Sequence, residues 1–459
     1  MFGFEVARGP VGPTGSFENC YDCEDFLLAG WQPALRLMIQ SKYFIFTVLA
    51  LITGIYFKTD PQTHFNEIPG SVSHDWPQWR GPNRDGISKE TGVLKTWPAA
   101  GPRVVWRVQL GEGFSSLALA RGYAYTMFSK GNDEHLVCFD ANTGAEKWRF
   151  RTDDKYRNSW GNGPRVTPAV VGDHVYTVSA NAKLYALDAK TGTKLWQHDL
   201  PKEFGGSIPD LGYSSSPLVA GDLLLVAGCG GQDQSILAFN RKDGRLVWSS
   251  YHDHPGYSSP IMISAQSVSQ AVFFMGSSVA AVSPADGKVL WNYSWRSSDY
   301  ENTATPVFIP NDKLFFSSPH PRAEGTAVLQ VTASNGRVNA APMWKNNVMQ
   351  LHFASAVLHA NFLYGTDRYI LKCIDARTGE QKWQQRGFGE GSLILVDGHL
   401  LVLGTSGNLA LAEAAPEAYK EKAGAQILKG RCFTPPAFSN GHLYLRNETE
   451  MVCLSLFKP

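Results

Sequence analysis

The chain has 459 residues, long enough for one large core or for two domains. Its 42 Lys and Arg nearly balance 41 Asp and Glu, for a net charge of +1. With no basic block and no acidic tail, the composition argues against a nucleic-acid partner and against a disordered chain.

Residues 1–37 contain Glu18, Asp22, Glu24 and Asp25 and read as an N-terminal extension rather than an export leader. Cys20 and Cys23 form one CxxC without a partner pair, which is a weak signal for zinc or redox chemistry. Met38 opens MIQSKYFIF, a better start for an exported chain, and translation is predicted to begin there. Residues 38–58 are read as a signal or membrane anchor. They hold the uncharged run YFIFTVLALITGIYF at 43–57, between Lys42 and Lys58. That length suits the apolar part of an export signal and falls short of the ~20 residues of a full span. The small-x-small cleavage pattern is poor, so an uncleaved anchor is preferred to a cleaved signal. The rest of the chain is then expected on the non-cytoplasmic side, in the periplasm or at the cell membrane.

Residues 59–101 are read as a linker and a loop-rich lead-in. Beyond them a phrase repeats. DANTGAEKW at 140–148 returns as DAKTGTKLW at 188–196 and DARTGEQKW at 375–383. Looser copies are NRKDGRLVW at 240–248, SPADGKVLW at 283–291 and TASNGRVNA at 332–340. Such recurrence marks one supersecondary unit with loops of different length. Residues 165–200 show the unit: VTPAVV, HVYTVSA, KLYALDA and KLWQHDL alternate apolar with polar residues and are separated by Gly and Asn/Asp turns. In the last turn Asp188 can hold backbone N–H groups, and Gly192 can take a positive φ. The tryptophan that follows is large and flat enough to pack between neighbouring sheets.

The predicted fold is all-β: an eight-bladed β-propeller of four-stranded antiparallel blades over residues 102–457. Its inner strands are expected to begin near Phe114, Val166, Ser215, Ser258, Ala304, Ala354, Ser392 and Pro435. The last segment, from Phe433, supplies three strands and stops. RVVWRVQL at 103–110 is predicted to be its missing outer strand, closing the ring and placing Trp106 in one blade with Cys453. AEAAPEAYKEKAGAQ at 412–426 favours a short surface helix in place of the usual turn.

Cys138, Cys373 and Cys453 share a strand position with Ala186, Ala238, Ala281 and Gln330; a slot of Cys and mostly Ala reads as a tight packing position. With Cys229 and Cys432 they predict no disulfide pair. No HExxH, EF-hand loop or zinc spacing occurs, and His252 with His254 reads as exposed loop rather than metal site. The loops leading into the inner strands converge on the central opening. On that face Trp160, Arg165, Tyr213, Tyr257, Glu301, His352, Glu390 and Arg431 are the candidate binding residues. No catalytic set, metal site or cofactor is assigned to them.

The phrases LVCFDANTGAEKW, LYALDAKTGTKLW and LKCIDARTGEQKW resemble the PQQ-like eight-bladed propeller superfamily, over roughly residues 76–457. The lead-in DWPQWRGPNRDG at 75–86 resembles secreted bacterial PQQ-like repeat proteins, especially those of planctomycete-type bacteria. The superfamily includes quinoprotein alcohol dehydrogenases and the outer-membrane protein assembly lipoprotein, so the resemblance implies the fold and leaves the function open. The dehydrogenases imply a quinone beside calcium, with carboxylate and amide ligands, an Asp base and commonly a disulfide between adjacent cysteines. This chain has no adjacent cysteines and no CxxCH haem motif; Glu301 and Asn302 are its nearest oxygen ligands. The expected function is therefore a membrane-associated, non-enzymatic binding scaffold of the bacterial envelope. Its partner would be an envelope protein or an extracellular polymer. A PQQ- and calcium-dependent alcohol or sugar dehydrogenase is the alternative.

Overall fold

Short alternating strands separated by glycine turns cannot bury both faces alone, and here they do so by stacking radially. The computed structural model describes residues 74–319 and 324–457. Cys20, Cys23, the start at Met38 and the apolar run at 43–57 lie outside them. Eight antiparallel sheets follow one another along the chain, each running from an inner to an outer strand. Blade 1 comprises Ala118–Ala120, Tyr123–Lys130, Asp133–Asp140 and Glu146–Asp154. Blade 2 comprises Ala169–Val171, His174–Val178, Lys183–Asp188 and Lys194–Asp199. Blades 3 to 8 have inner strands Leu218–Ala220, Ile261–Ala265, Val307–Ile309, Val357–His359, Ser392–Val396 and Ala437–Ser439. Among the described residues no helix is long and apolar enough to cross a membrane.

The ring closes as the sequence predicts. Arg103–Gln109 pairs with Glu450–Ser455 as the outer strand of blade 8, with Trp106 opposite Cys453. Most inner strands begin a few residues later than expected. The preceding residues bond to the neighbouring blade instead of to their own sheet: Ser116 N donates to Thr167 Oγ1, Thr167 N to Ser216 Oγ and Ser216 N to Ser259 Oγ, at 2.9–3.1 Å. The helix expected at 412–426 is not formed. Asn408–Glu413 and Glu421–Gln426 pair as strands, with alternating exposure along the second. The ladder satisfies these backbone groups against a buried neighbour, which outweighs the local helix preference of Ala, Glu and Lys.

The repeated phrase joins adjacent blades. Asp188 Oδ1 accepts from the N–H groups of Lys190 and Thr191, and Gly192 has φ +72°. Trp148 of blade 1 lies over this glycine, and its Nε1 donates to Ala189 O at 3.0 Å. Trp106, Trp196, Trp248, Trp344 and Trp383 make the same bond to Ala141, Arg241, Pro284, Ala376 and Ala415 of the next blade. Two junctions differ. Trp291 turns back to Gln270 Oε1 within its own blade. The outer strand of blade 7 has no tryptophan, and Trp97 of the lead-in packs on the apolar cluster beside Ala423 and Ala425. A bulge precedes the tryptophan position in every outer strand, at residues 105, 147, 195, 247, 290, 343, 382 and 422. Bulges twist an outer edge away from flat pairing with another chain.

The slot shared by cysteine and alanine is a packing position. Cys138, Cys373 and Cys453 stand opposite Tyr125, Tyr364 and Tyr444, as Ala186 stands opposite Tyr176. The described cysteines are all buried and unpaired.

The lead-in threads the axis of the ring. Trp76 exchanges two 2.8 Å backbone bonds with Leu119, and Pro77 O accepts from Val170 N. Buried Arg84 donates to Ser216 O and Pro217 O, and buried Arg80 to Ser355 O and Ala356 O. Ile87–Ser88 then adds a parallel strand to the inner edge of blade 7. Backbone carbonyls are the main partners of both guanidinium groups, with Gln78 Oε1 also accepting from Arg84, and burial pulls Arg80 down to about 10 and Arg84 to about 9. The segment therefore plugs the central channel.

Candidate functional site

The plug leaves a cavity of about 830 Å³, including its open mouth, where the loops before the inner strands converge. Trp79 belongs to its lining, with its indole Nε1 bonded to Thr305 Oγ1 at 2.8 Å. The walls follow a simple column. Counting two residues back from the inter-blade positions Ser116, Thr167, Ser216, Ser259, Thr305 and Ser355 gives Phe114, Arg165, Ser214, Tyr257, Thr303 and Phe353. Every one of these lines the cavity, as does Phe433 two residues before Pro435 of blade 8. The repeated hydroxyl–amide bonds fix the backbone phase of each loop, and strand-like alternation then aims every second side chain at the axis.

The predicted face residues divide. Trp160, Arg165 and Tyr257 line the cavity. Trp160 is 54% exposed and meets His352 and Phe353 edge-on, at 6.4 and 6.2 Å between ring centres. Its loop leads into blade 2, whereas His352 and Phe353 lead into blade 6, so the indole reaches across the mouth. Arg431 holds it there by donating to Trp160 O at 3.0 Å while pairing with Glu448 at 2.9 Å. His352 stacks on Phe353 and stands between two carboxylates, with Nδ1 3.4 Å from Glu390 Oε1 and Nε2 3.9 Å from Glu301 Oε2. Desolvation raises the Glu301 pKa, and His352 opposes that rise. Burial also pushes Tyr257 up to about 12; its hydroxyl accepts from Leu211 N.

Tyr213 does not reach the face. It is 2% exposed, and its hydroxyl donates to Ala227 O at 2.7 Å inside blade 3. It stands one residue out of the column, so alternation turns it into the wall while Ser214 faces the cavity. Phe114, Phe353, Phe433 and Trp79 are the aromatic wall residues that selection by loop and residue type missed; Leu211, Ser214, Ser259, Thr303 and Pro435 complete the lining. The two-residue offset from the strand-leading hydroxyls is the signal that finds Phe114 and Phe353.

Arg165 is the charged side chain of the lining. It donates to Gly161 O at 2.8 Å and to Gly163 O, and it lies over the ring of Tyr156 at 4.9 Å. Burial lowers it to about 10. Ser214 Oγ donates to Tyr257 O, Ser259 Oγ accepts from Ser216 N, and Thr303 Oγ1 donates to His352 O. The lining hydroxyls are thus already engaged.

Calcium beside a quinone needs several converging oxygen ligands. Asn302 is fully buried; its amide donates to Met275 O and Gly276 O, and its oxygen accepts from Ser318. Glu301 and Glu390 lie on opposite nitrogens of His352. Among the described residues no group of three or more His, Cys, Asp or Glu side chains could hold a metal ion. His254 stacks on Tyr300 at 3.9 Å rather than joining His252. The donor set present therefore does not fit the calcium–quinone pair.

Comparison with known proteins bears on the same choice. Over 301 residues the chain is 24% identical to the outer membrane protein assembly factor BamB of Yersinia pestis, covering 61% of this chain and 70% of that one. Over 139 residues it is 27% identical to the quinoprotein alcohol dehydrogenase PedH of Pseudomonas putida, a match spanning 28% of this chain and only 22% of the dehydrogenase. The BamB structure from Moraxella catarrhalis superposes with a TM-score of 0.55 at 15% identity, over 77% of this chain and 98% of that one. The quinohemoprotein alcohol dehydrogenase of Comamonas testosteroni gives 0.59 at 12% identity, over 85% and 82%. These two structural likenesses establish the propeller and no more. The family model described as "Outer membrane protein assembly factor BamB" matches residues 89–201 and 132–385, more than half of the sequence, and the chain belongs to that family of PQQ-like propellers.

Proposed function

We propose that this protein is a non-enzymatic binding scaffold of the bacterial envelope that holds another envelope protein, or an extracellular polymer, at the cavity mouth. The observation that carries this reading is the mouth itself. It is an aromatic ring around a plugged channel, spanned by Trp160, whose backbone carbonyl Arg431 holds. Its lining hydroxyls are engaged, and it presents no nucleophile–base pair. Aromatic and arginine side chains are the commonest anchors of protein interfaces. The match to BamB relatives over most of their length supports an envelope role. The run at 43–57 would tether the propeller on the non-cytoplasmic side, with the polar stretch at 59–75 as spacer.

The test captures envelope extracts on the full-length chain and on Trp160→Ala and Arg431→Ala variants. Loss of the same partner in both, at unchanged melting temperature, is the expected result; undiminished capture moves the binding surface elsewhere. The dehydrogenase alternative is tested by titration with PQQ and calcium. One-to-one binding followed by quinone reduction on adding an alcohol or sugar would overturn the scaffold reading.

A further inference from the structure

The chemistry of the cavity selects among ligands, and this step rests on the same site as the proposed function. Six of its lining residues are aromatic: Trp79, Phe114, Trp160, Tyr257, Phe353 and Phe433. A neutral sugar could stack on them, but it would bring many hydroxyls to a wall where Ser214 and Thr303 already give their O–H donors to Tyr257 O and His352 O, and where Ser259 Oγ and Tyr257 Oη already accept from backbone N–H groups. Unpaired polar groups in such a place are costly. A cation is disfavoured by Arg165, which adds a fixed positive charge to the lining.

Arg165 is also incompletely used. A guanidinium has five N–H donors. Two bonds leave Arg165, through Nη1 and Nη2, both to backbone carbonyls of its own loop. The carboxylic acid that bears on it is Glu134, fully buried between blades 1 and 2 and pushed up to about 8, so at neutral pH it supplies little negative charge. Arg431, across the ring of Phe114, is already neutralised by Glu448. The cavity thus has one cationic pole with donors to spare, inside apolar walls.

We propose that the cavity binds an apolar carboxylate, with its aromatic or branched body among Phe114, Phe353, Phe433 and Trp79 and its carboxylate on Arg165. A carboxylate matches the planar fork of arginine, and desolvated walls strengthen the contact. Trp160 closes over the body of the ligand. The same chemistry is offered by a free small acid and by the last residue of a polypeptide.

Calorimetric titration of the full-length chain tests this with 3-phenylpropionate, 3-phenylpropanamide, the tripeptide Gly-Gly-Phe and a neutral disaccharide. Saturable one-to-one binding of the acid is expected, with the amide about ten-fold weaker or worse for loss of a charge-assisted bond. Arg165→Gln should erase the preference for acid over amide, and Arg165→Lys should restore part of it. Should Arg165→Gln fail to fold, the acid–amide comparison on the unaltered chain still decides. Tighter binding of the tripeptide assigns the carboxylate to a chain end, and tighter binding of 3-phenylpropionate assigns it to a free acid. Equal affinity for acid and amide, binding of neither, or preference for the disaccharide overturns the proposal. Loss of an envelope partner in Trp160→Ala by a chain that binds neither acid nor amide would refute the carboxylate and spare the scaffold; acid binding with undiminished partner capture would do the reverse.

Discussion

The indole of Trp148 lies so close over Gly192 of the next blade that a Cβ on that glycine would sit 2.6 Å from a ring carbon. Gly336 occupies the corresponding turn of blade 5 with nearly the same φ, +73° against +72°, yet nothing lies within 4 Å of its added Cβ. The pair separates backbone strain from inter-blade docking. Gly336→Ala should cost about 1 kcal/mol, the price of a left-handed alanine. Gly192→Ala should cost that and a further 1–3 kcal/mol, roughly, for displacing Trp148. Urea unfolding of both variants measures the difference, and equal losses would mean that the tryptophan does not fasten the blades.

Glu134 should make the fold lose stability as the pH rises from mildly acidic to about 8. It is fully buried between blades 1 and 2, where Thr152 Oγ1 and Ala180 N donate to it, and desolvation pushes it up to about 8. An acid with a raised folded pKa is destabilising once the unfolded chain can ionise. Stability should therefore fall as pH rises from the ordinary value of 4.5 through 8, by up to roughly 1.4 kcal/mol per pH unit, and then level off. Glu134→Gln should flatten this slope and raise the melting temperature at pH 8. A variant with the unaltered slope would place the titration on another group.

Arg446 is the buried bolt of ring closure. From blade 8 it donates to Gly113 O, Ser115 O and Met127 O of blade 1, at 2.8–3.0 Å, without an acid partner in contact. Arg446→Met would remove the guanidinium donor from all three, leaving Ser115 O its bond from Thr126 Oγ1, at roughly 1–3 kcal/mol for each carbonyl left unpaired, so a loss of about 3 kcal/mol is expected in thermal or denaturant unfolding. A loss below 1 kcal/mol, roughly, would mean that water replaces the guanidinium.

Tyr213→Ala and Trp160→Ala should behave oppositely. The first empties a packed site and breaks the bond to Ala227 O, with a cost of about 3–5 kcal/mol. The second removes a half-exposed ring and should shift unfolding by about 0.5 kcal/mol or less. Melting curves of the two variants check this before either is used in a binding experiment.

The repeat carried most of the architecture. Gly192, Asp188 and Trp148 are legible because their roles are local and recur, and the closing strand is legible because Trp106 lacks three strands before it. The failure at 412–426 shows the limit of propensity, since pairing of Asn408 with Gln426 is decided by the neighbouring strand and not by the residues themselves. The cavity was legible as a face but not as a wall. Tyr213 and Tyr257 precede similar serine runs, and only the inter-blade bonds of Ser216 and Ser259 reveal that they differ in phase by one residue. Trp79 was beyond reach, because nothing in DWPQWRGPNRDG says that it runs down the axis.

The pairing of Arg103–Gln109 with Glu450–Ser455 also orders events in time. The strand synthesised first among the blades must wait for the one synthesised last, and no shorter nascent chain can complete the ring. Contacts of such long sequence separation form late and slowly. Until then the chain remains open, with unpaired edges that invite association. The ring is therefore all or none: seven finished blades still leave an open edge, and only the pairing of Arg103–Gln109 with Glu450–Ser455 removes it.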